Sequence, residues 1–325
     1  MKSAIRGICF VLSLLFLLNI SAVCGSAKNS YIKWVDFSVC QSALSDAVKI
    51  DTESYGTEKH ASAVTLLAIF AAKNGGSFSG YKYSALSDIK SRLDGGESGV
   101  EIAKNEKLYN YYAEAYSAAL GGMMGTYRVS DYSGSLSEEK YGMRLFSPIA
   151  SGYYYNHYDD FGASRSYGYK RRHLGHDLMG SVGTPIVAIE SGYVEACGWN
   201  QYGGWRVGIR SFDGKRYYYY AHLRKGHPYN DMYEGKIVNA GEVIGYLGCT
   251  GYSAKENVNN IDTPHLHYGL ELIFDPSQKD GYNQIWIDVY ALTSFLSKYR
   301  SQVVSSEDGK EKNAKLYYVY SETPD

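Results

Sequence analysis

The stretch Arg206–Leu223, RVGIRSFDGKRYYYYAHL, determines how the second half of this chain folds. Two β-rich runs flank Asp213-Gly214, and an Asp-Gly pair between such runs is a strong signal for a β-hairpin. We therefore predict strands over 206–212 and 215–222. His222 is the last residue of the second predicted strand. Taken alone, it is interpreted as a hydrogen-bonded strand residue.

Short strands separated by turn residues continue on both sides of this hairpin. Thr184-Pro185 precedes one apolar run, Ser191-Gly192 turns the chain before the next, and glycines punctuate the segments that follow. This pattern is typical of an antiparallel β domain. The predicted strands cover 186–189, 193–196, 236–238, 243–247 and 266–274.

The first half has a different periodicity. Apolar residues recur at intervals near 3.6, which predicts a small helical bundle, with Ser84 as an N-cap and Gly75 as a C-cap. The predicted helices cover 42–50, 60–73, 84–93 and 100–120. His60 is interpreted as a helix-entry or surface residue, and the polar, Gly/Ser-rich stretch 130–140 as a linker. The fold class is therefore α+β: a helical region followed by an antiparallel β-sheet domain.

Composition limits the possible partners and the compartment. The chain has 325 residues and a formal net charge of −1, so no basic excess indicates nucleic-acid binding. Lys2 and Arg6 precede an apolar core over 8–23 and small residues at 25–27, which is typical of a secretory signal. Residues 1–27 are predicted to be a cleaved signal or an uncleaved signal anchor, which would attach the protein to a membrane. A lipid anchor on Cys24 is disfavoured because Val23 precedes it. We expect a secreted or cell-envelope protein.

Three cysteines lie beyond the signal: Cys40, Cys197 and Cys249. Their number is odd, and their spacing does not match a metal-binding CxxC motif. A Cys197–Cys249 disulfide and the absence of any disulfide are both compatible with the sequence.

Seven of the eight histidines follow residue 150. Three groups that contain them are candidate metal-binding or catalytic residues. His173 and Asp177 form an H-x-x-x-D pair, in which an imidazole and a carboxylate can reach one cation. His265 and His267 are residues i and i+2 of a predicted strand, so they share a face. His222 ends the hairpin. Taken singly, each group is also explained by ordinary hydrogen-bonded histidines.

Together, and in this order, the three groups resemble the LytM/lysostaphin-type zinc endopeptidases, the M23 peptidase family, which cut the peptide part of bacterial cell walls. The resemblance runs from about Arg172 to about Leu296 and includes the glycine punctuation between the motifs. The matching motifs are H-x-G-x-D at 173–177, G-T-P at 183–185, S-G-Y-V at 191–194, Y-G-G at 202–204, Y-A-H-L at 220–223, A-G-E-V-I-G-Y-L-G-C-T-G at 240–251 and P-H-L-H at 264–267.

The resemblance implies that His173, Asp177 and His267 bind one Zn²⁺, while His222 and His265 remain unligated. Three protein ligands leave one tetrahedral position for water, as in catalytic rather than structural zinc sites. The two free imidazoles are then candidates for general base, proton donor and oxyanion stabiliser, in an order that the sequence leaves open. Family members also place a tyrosine six residues before the first ligand, where this chain has Tyr167, and a packing role explains that tyrosine equally well.

Three features depart from the family pattern. His176 lies where relatives usually carry an apolar residue, and His173-x-x-His176 is itself a metal-like spacing; we interpret His176 as outward-facing or as a residue that supports a metal ligand without binding the metal. The loop 252–263 is long and polar, and it either shapes the cleft or is a tolerated insertion. The usual Asp-Pro near the end of the domain is replaced by Ile287-Asp288-Val289.

The sequence thus predicts an exported zinc endopeptidase acting on peptidoglycan peptides. The alternative is a non-hydrolytic peptidoglycan-binding or adaptor protein that activates other wall enzymes. The expected organisation is a signal at 1–27, a helical region with linker at 28–140, a peptidase domain at 141–300 and a tail at 301–325. The helical region is predicted to inhibit the cleft, to bind wall polymer or to act as a spacer. Within the tail, residues 316–320 either add an edge strand or stay loose.

Overall fold

A computed structural model describes residues 31–167, 169–279 and 283–321. The predicted signal or signal anchor at 1–27 lies outside these residues. Among the helices that are described, none has both the length and the apolar character needed to cross a lipid bilayer.

Five helices form the first part of the chain, and the apolar periodicity explains how they pack. Helix α2 is the centre of the bundle because its leucines, isoleucine and alanines are almost wholly buried. Ser62 caps α2 by accepting a hydrogen bond from the Thr65 amide at 3.2 Å. The helices are α1 (Gln41–Ser54), α2 (Ala63–Lys73), α3 (Tyr83–Asp94), α4 (Gly99–Ala103) and α5 (Glu106–Leu120).

Two helix predictions need correction. The segment 100–120 is not one helix, because Lys104 adopts a left-handed conformation (φ 55°) and Asn105 caps a new helix by accepting from the Leu108 amide at 3.0 Å. Ser84 is not an N-cap, because α3 already begins at Tyr83 and its cap position, Lys82, makes no side-chain capping bond.

A small antiparallel sheet follows the helices. Strand β1 (Met124–Asp131) lies between β2 (Lys140–Met143) and β17 (Leu316–Tyr320). The stretch 130–140 is therefore part of a β-hairpin instead of the expected linker, and residues 316–320 add an edge strand, one of the two outcomes considered. The division of the chain at residue 140 remains a prediction.

An eight-stranded antiparallel sheet forms the rest of the scaffold, in the order β11-β8-β9-β10-β13-β6-β3, with β14 also pairing with β13. The predicted hairpin at Asp213-Gly214 is present as β9 and β10, and the α+β class is confirmed. The remaining elements are β3 (Tyr155–His157), β4 (Ser164–Tyr167), β5 (Tyr169–Arg172), β6 (His176–Gly180), β7 (Pro185–Val187), β8 (Gly192–Asn200), β9 (Gly204–Ser211), β10 (Arg216–Ala221), β11 (Ile237–Val238), β12 (Val243–Tyr246), β13 (His265–Leu272), β14 (Ile285–Ile287), α6 (Tyr290–Leu296), β15 (Val303–Ser305) and β16 (Lys312–Ala314).

A buried ion pair joins the helices to the large sheet. Arg216 of β10 donates two hydrogen bonds to Glu190, at 2.8 and 3.0 Å, and its Nη1 donates to the Ala118 carbonyl of α5 at 2.8 Å. The Tyr218 hydroxyl also donates to Glu190, at 2.8 Å. Because both charged side chains are almost fully buried, this contact fixes the end of α5 on the sheet.

None of the three cysteines in the described part of the chain forms a disulfide. Cys40, Cys197 and Cys249 are free thiols, so the Cys197–Cys249 bridge that the sequence allowed does not form.

Candidate metal centre

Strand register brings the predicted ligands together. In the pairing of β13 with β6, His267 lies directly opposite Asp177. On its other side β13 pairs with β10, where Ala221 lies opposite His267 and His222 follows immediately. His173 precedes β6 by three residues, so the chain returns it to the same edge.

Three ligand atoms converge at this point. Asp177 Oδ1 lies 2.8 Å from His267 Nδ1 and 3.1 Å from His173 Nε2, and the two ring nitrogens are 3.1 Å apart. All three residues are buried or nearly so. No other group of three His, Cys, Asp or Glu side chains within the described ranges converges in this way.

The donor set and its spacing fit a tetrahedral metal ion. Two imidazole nitrogens and a carboxylate oxygen are ordinary ligands of Zn²⁺, and ligands about 2.0–2.2 Å from the ion would lie roughly 3.3 Å from one another. The three observed separations are a few tenths of an ångström shorter, so a slight outward movement of the side chains would accommodate the ion.

Gly175 explains how the ligands approach so closely. A Cβ atom at this position would lie 2.5 Å from both Cε1 and Nε2 of His267 and 2.9 Å from the Tyr268 carbonyl oxygen. Any side chain would therefore displace the His267 ring. The glycine of the H-x-G-x-D motif is a packing requirement of the site.

Protonation equilibria of Asp177 and His267 favour cation binding, whereas that of His173 opposes it. Burial alone would raise the pKa of Asp177, but hydrogen bonds from His173 and His267 hold it well below its usual range, so the carboxylate is ionised. Burial lowers the pKa of His267, which keeps its ring neutral near pH 7. Burial also opposes protonation of His173, but Asp177 and Asp160 outweigh it and raise the pKa of that ring.

A second carboxylate lies at the ring nitrogen of His173 that faces away from the cluster, and an arginine pairs with that carboxylate. Asp160 Oδ1 lies 3.1 Å from His173 Nδ1, so the carboxylate can orient the ring while Nε2 faces the cluster. Arg165 pairs with Asp160 and lies 3.6 Å from Asp177 Oδ2. Sequence analysis missed both residues, because neither belongs to a recognisable motif and only tertiary packing brings them to the site.

The other two predicted histidines lie beside the cluster. The ring centres of His222 and His265 are 4.8 Å apart, and His265 Nε2 lies 3.7 Å from Asp177 Oδ1. His222 Nδ1 lies 2.8 Å from the Thr250 carbonyl and His265 Nδ1 lies 2.8 Å from the Thr263 carbonyl. A carbonyl only accepts, so each Nδ1 carries the proton and each Nε2 is the free acceptor of the neutral ring.

His222 is also held in an uncommon conformation. Its φ of 63° lies in the left-handed region, which few residues other than glycine adopt, although histidine does so more often than most. Burial lowers the pKa of His222 well below 6.5, and the neighbouring histidines lower it further, so the ring is neutral at pH 7. The ring therefore lies beside the cluster in a form whose Nε2 can accept a hydrogen bond.

Other sequence predictions have different outcomes. His176 is not outward-facing, because it is buried on the opposite face of β6, where its Nε2 lies 2.8 Å from His157 Nδ1. It makes no hydrogen bond to the three ligands. The side chain of Tyr167 lies outside the described residues, so its role stays a prediction. His60 lies at the entry of α2, as expected, and is hydrogen-bonded to Asp51 at 2.8 Å.

A cleft of about 340 Å³ opens over the cluster. It is lined by the five predicted site residues and by side chains from the β4–β5 hairpin, Tyr252 and Trp286. Tyr252 begins the long polar loop 252–263, so the start of that loop contributes to the cleft wall. None of the lining residues comes from the described part of the helical region, so the expected inhibitory contact is not found there.

Comparison with known proteins agrees with this geometry. Residues 171–279 match the sequence profile of Peptidase family M23. The L-Ala–D-Glu endopeptidase of Bacillus subtilis is 32% identical over 216 residues, which cover 57% of this chain and 63% of that protein. Lysostaphin of Staphylococcus simulans is 40% identical over 97 residues, covering 30% of this chain and 17% of lysostaphin. The chain thus spans less than two thirds of the length of either relative.

A solved structure shares the fold over most of the chain. The crystal structure of a protein from Ruminococcus gnavus, described as a LytM glycyl-glycine endopeptidase, superimposes with a TM-score of 0.54 at 22% identity. The match covers 82% of this chain and 89% of that one. At this identity the likeness is evidence for the fold alone.

Proposed function

We propose that this chain, whose residues 171–279 match Peptidase family M23, is an exported zinc-dependent endopeptidase of the LytM/lysostaphin type that hydrolyses peptide bonds in bacterial peptidoglycan. His173, Asp177 and His267 would hold Zn²⁺, and His222 and His265 would move protons. The observation that carries this proposal is the convergence of three ligand atoms beside two imidazoles whose Nε2 atoms are free.

Zinc bound by the three ligands would polarise the scissile carbonyl and lower the pKa of water to about 7. The chain's own residues supply the proton transfers. A neutral imidazole of His222 or His265 accepts a proton at Nε2 as water adds to the carbonyl carbon, and the resulting imidazolium donates a proton to the departing amine nitrogen. The C–N bond breaks, one new carboxyl group and one new amine form, and the ring that carried the proton is neutral again.

The backbone supports this assignment of roles. The Thr250 and Thr263 carbonyls fix the tautomer and the direction of the two rings, and they would stabilise each imidazolium while it exists. Water and substrate would enter through the cleft above the cluster. Export is supported by the signal-like pattern of residues 1–27, and the secreted or cell-envelope location follows from it.

The direct test is hydrolysis of purified peptidoglycan. We expect the protein to release fragments with new amine and carboxyl ends, identified by mass spectrometry, and to lose this activity with a chelator and regain it with Zn²⁺. The mass of the fragments would identify the bond. If the zinc-loaded protein bound peptidoglycan without releasing any fragment, the adaptor alternative would replace the enzyme.

A further inference from the structure

The charges that line the cleft are unbalanced. Arg165, Arg171 and Arg172 line it, whereas Asp177 is the single carboxylate among the described lining residues. Asp177 is already engaged by the surrounding histidines, and a bound divalent cation would add two further positive charges. A concave site with this balance attracts an anionic ligand.

The β4–β5 hairpin gives two of these arginines different environments. Arg165 lies directly opposite Arg171 in the register of the hairpin, so both side chains project from the same face towards the cleft. Arg165 is neutralised, because it pairs with Asp160 and lies 3.6 Å from Asp177 Oδ2.

Arg171 lacks such a partner. Its Nη2 donates to the Tyr252 hydroxyl, and its guanidinium carbon lies 5.0 Å from the centre of the Tyr252 ring. Its Nε is buried and has no hydrogen-bond acceptor, and no acidic side chain within the described ranges pairs with it. A buried donor without an acceptor costs free energy, so the guanidinium would gain by turning towards an acceptor that enters the cleft.

The position of Arg171 relates it to the reacting groups. The Tyr252 ring that it contacts lies 5.8 Å from the His222 ring, centre to centre. A ligand held by Arg171 would therefore lie beside the cluster and within the same cleft. Arginine is suited to this task because its planar guanidinium can make two parallel hydrogen bonds to one carboxylate.

We propose that Arg171 binds a free carboxylate of the substrate peptide, so that the protein selects peptides with an acidic group next to the scissile bond over neutral ones. This inference rests on the proposed function and narrows its substrate class. The carboxylate can come from an acidic residue beside the scissile bond or from the C-terminus of the peptide. Arg172, which is exposed at the cleft rim, adds to the attraction without a defined contact.

The test uses four versions of one wall-derived stem peptide, in which the acidic side group and the C-terminal carboxylate are each either free or converted to carboxamide. Kinetics are measured for the zinc-loaded full chain and for Arg171→Gln, Arg171→Lys and Arg128→Gln. Arg128 is an exposed arginine of β1 that does not line the cleft, so its variant is the matched control.

We expect Arg171→Gln to raise KM for the carboxylate-bearing peptide about 10- to 100-fold, the range for losing a hydrogen bond to a charged group. Its kinetics on the carboxamide peptide should stay at the wild-type value, and Arg171→Lys should be intermediate. Two of the peptides have only one carboxylate converted to carboxamide. If the rise in KM caused by Arg171→Gln disappears for one of them, the carboxylate converted in that peptide is the one that Arg171 binds. Equal wild-type KM for the free and amidated peptides, or an equal loss on both in Arg171→Gln, would overturn the proposal.

Equilibrium binding of the same peptides to His265→Ala separates this inference from the proposed function. Selective binding of the carboxylate form without hydrolysis by the wild type would reject the enzyme and retain the Arg171 site. If the wild type hydrolysed the free and amidated peptides at equal rates, and both bound equally well, the enzyme would be retained and the Arg171 site rejected.

Discussion

The helical bundle and the large sheet bury different kinds of side chain. Across residues 41–120, all of which are described, Asp51 and Ser54 are the only buried polar side chains apart from tyrosines. The sheet and its loops bury four histidines and six residues of charged types. The buried histidines are His173, His176, His222 and His265, and the charged residues are Arg144, Asp177, Glu190, Arg210, Arg216 and Glu271.

Burying such groups costs free energy unless each finds a partner. The helical bundle avoids this cost by packing apolar faces, whereas the sheet pairs buried charges with one another, as in Glu190–Arg216, and places others, such as Asp177, at the cleft. This difference indicates that the bundle contributes stability and that the sheet contributes chemistry. The predictions that follow test this division, beginning with the change that should have the greatest effect.

Removal of one metal-ligating side chain should abolish hydrolysis without unfolding the protein. His173→Ala leaves Asp177 and His267 without the third ligand, so we expect loss of bound zinc and a decrease in activity of roughly 10³-fold or more, since the ion supplies several kcal/mol of transition-state stabilisation. Zinc content by elemental analysis and hydrolysis of peptidoglycan check this. Retention of one zinc per chain with full activity would contradict the ligand assignment.

Removal of a free imidazole should separate metal binding from catalysis. His265→Ala is expected to keep its zinc and to lose about 10²- to 10⁴-fold in kcat, the usual contribution of a general acid or base. His222→Asn should behave in the same way, and asparagine suits the position because it tolerates the left-handed backbone of residue 222. Unchanged turnover in either variant would remove that histidine from the mechanism.

The Glu190–Arg216 pair tests whether every buried charge of the sheet serves the cleft. Glu190→Gln should decrease the free energy of unfolding by about 3–5 kcal/mol, because Arg216 would remain buried without its counter-charge. Zinc binding and kcat should not change at temperatures where the variant is folded. Denaturant unfolding measures the first effect, and a parallel loss of zinc would show that this contact also shapes the site.

Zinc affinity should depend on pH through His173. The pKa of this ring is raised in the metal-free protein, so its protonated form is favoured below that pKa and must lose a proton before the metal binds. Affinity should therefore rise with pH, by up to about tenfold per unit for one proton, and level off once the ring is neutral.

Asp160→Asn is the control for this pH dependence. Asp160 helps to raise the pKa of His173, so its removal should shift the rise in affinity to lower pH. Competition with a chromophoric chelator at several pH values measures both curves. If zinc affinity depended on pH in the same way in the wild type and in Asp160→Asn, or did not depend on pH at all, His173 would be excluded as the group whose deprotonation accompanies zinc binding.

Sequence patterns predicted many of the elements and singled out the five histidine and aspartate positions as candidates, because these signals depend on local chemistry. The Asp213-Gly214 hairpin follows from turn residues, and the shared face of His265 and His267 follows from strand geometry. Their meeting with His173 and Asp177 came from family resemblance, since spacing alone does not determine which strands become neighbours.

The parts that were missed depend on contacts between distant segments. Asp160 and Arg171 lie in a turn and in a short hairpin whose places are set by tertiary packing, so no periodic pattern marks them. One error had a readable signal: Asn105, a residue type favoured at N-caps, lies inside the predicted helix 100–120 and caps the start of α5 by accepting a hydrogen bond from the Leu108 amide.

The smallest effect is expected at the single buried charge of the helical bundle. Asp51 accepts hydrogen bonds from Tyr141 at 2.6 Å, from His60 at 2.8 Å and from the Ala63 amide at 2.7 Å, so it joins α1 to β2 and to the start of α2. Asp51→Asn keeps one acceptor oxygen and loses the charge, which should lower the free energy of unfolding by about 1–3 kcal/mol.

Catalysis should be insensitive to this change, because no described residue of the bundle lines the cleft. Urea unfolding and kcat/KM on the same preparation give both quantities, and Asp88→Asn, at an exposed site on α3, is the matched control. A decrease in kcat/KM for Asp51→Asn that exceeded its loss of folded protein would mean that the bundle acts on the cleft through the α1–β2 contact. The division between a stabilising bundle and a chemical sheet would then have to be abandoned.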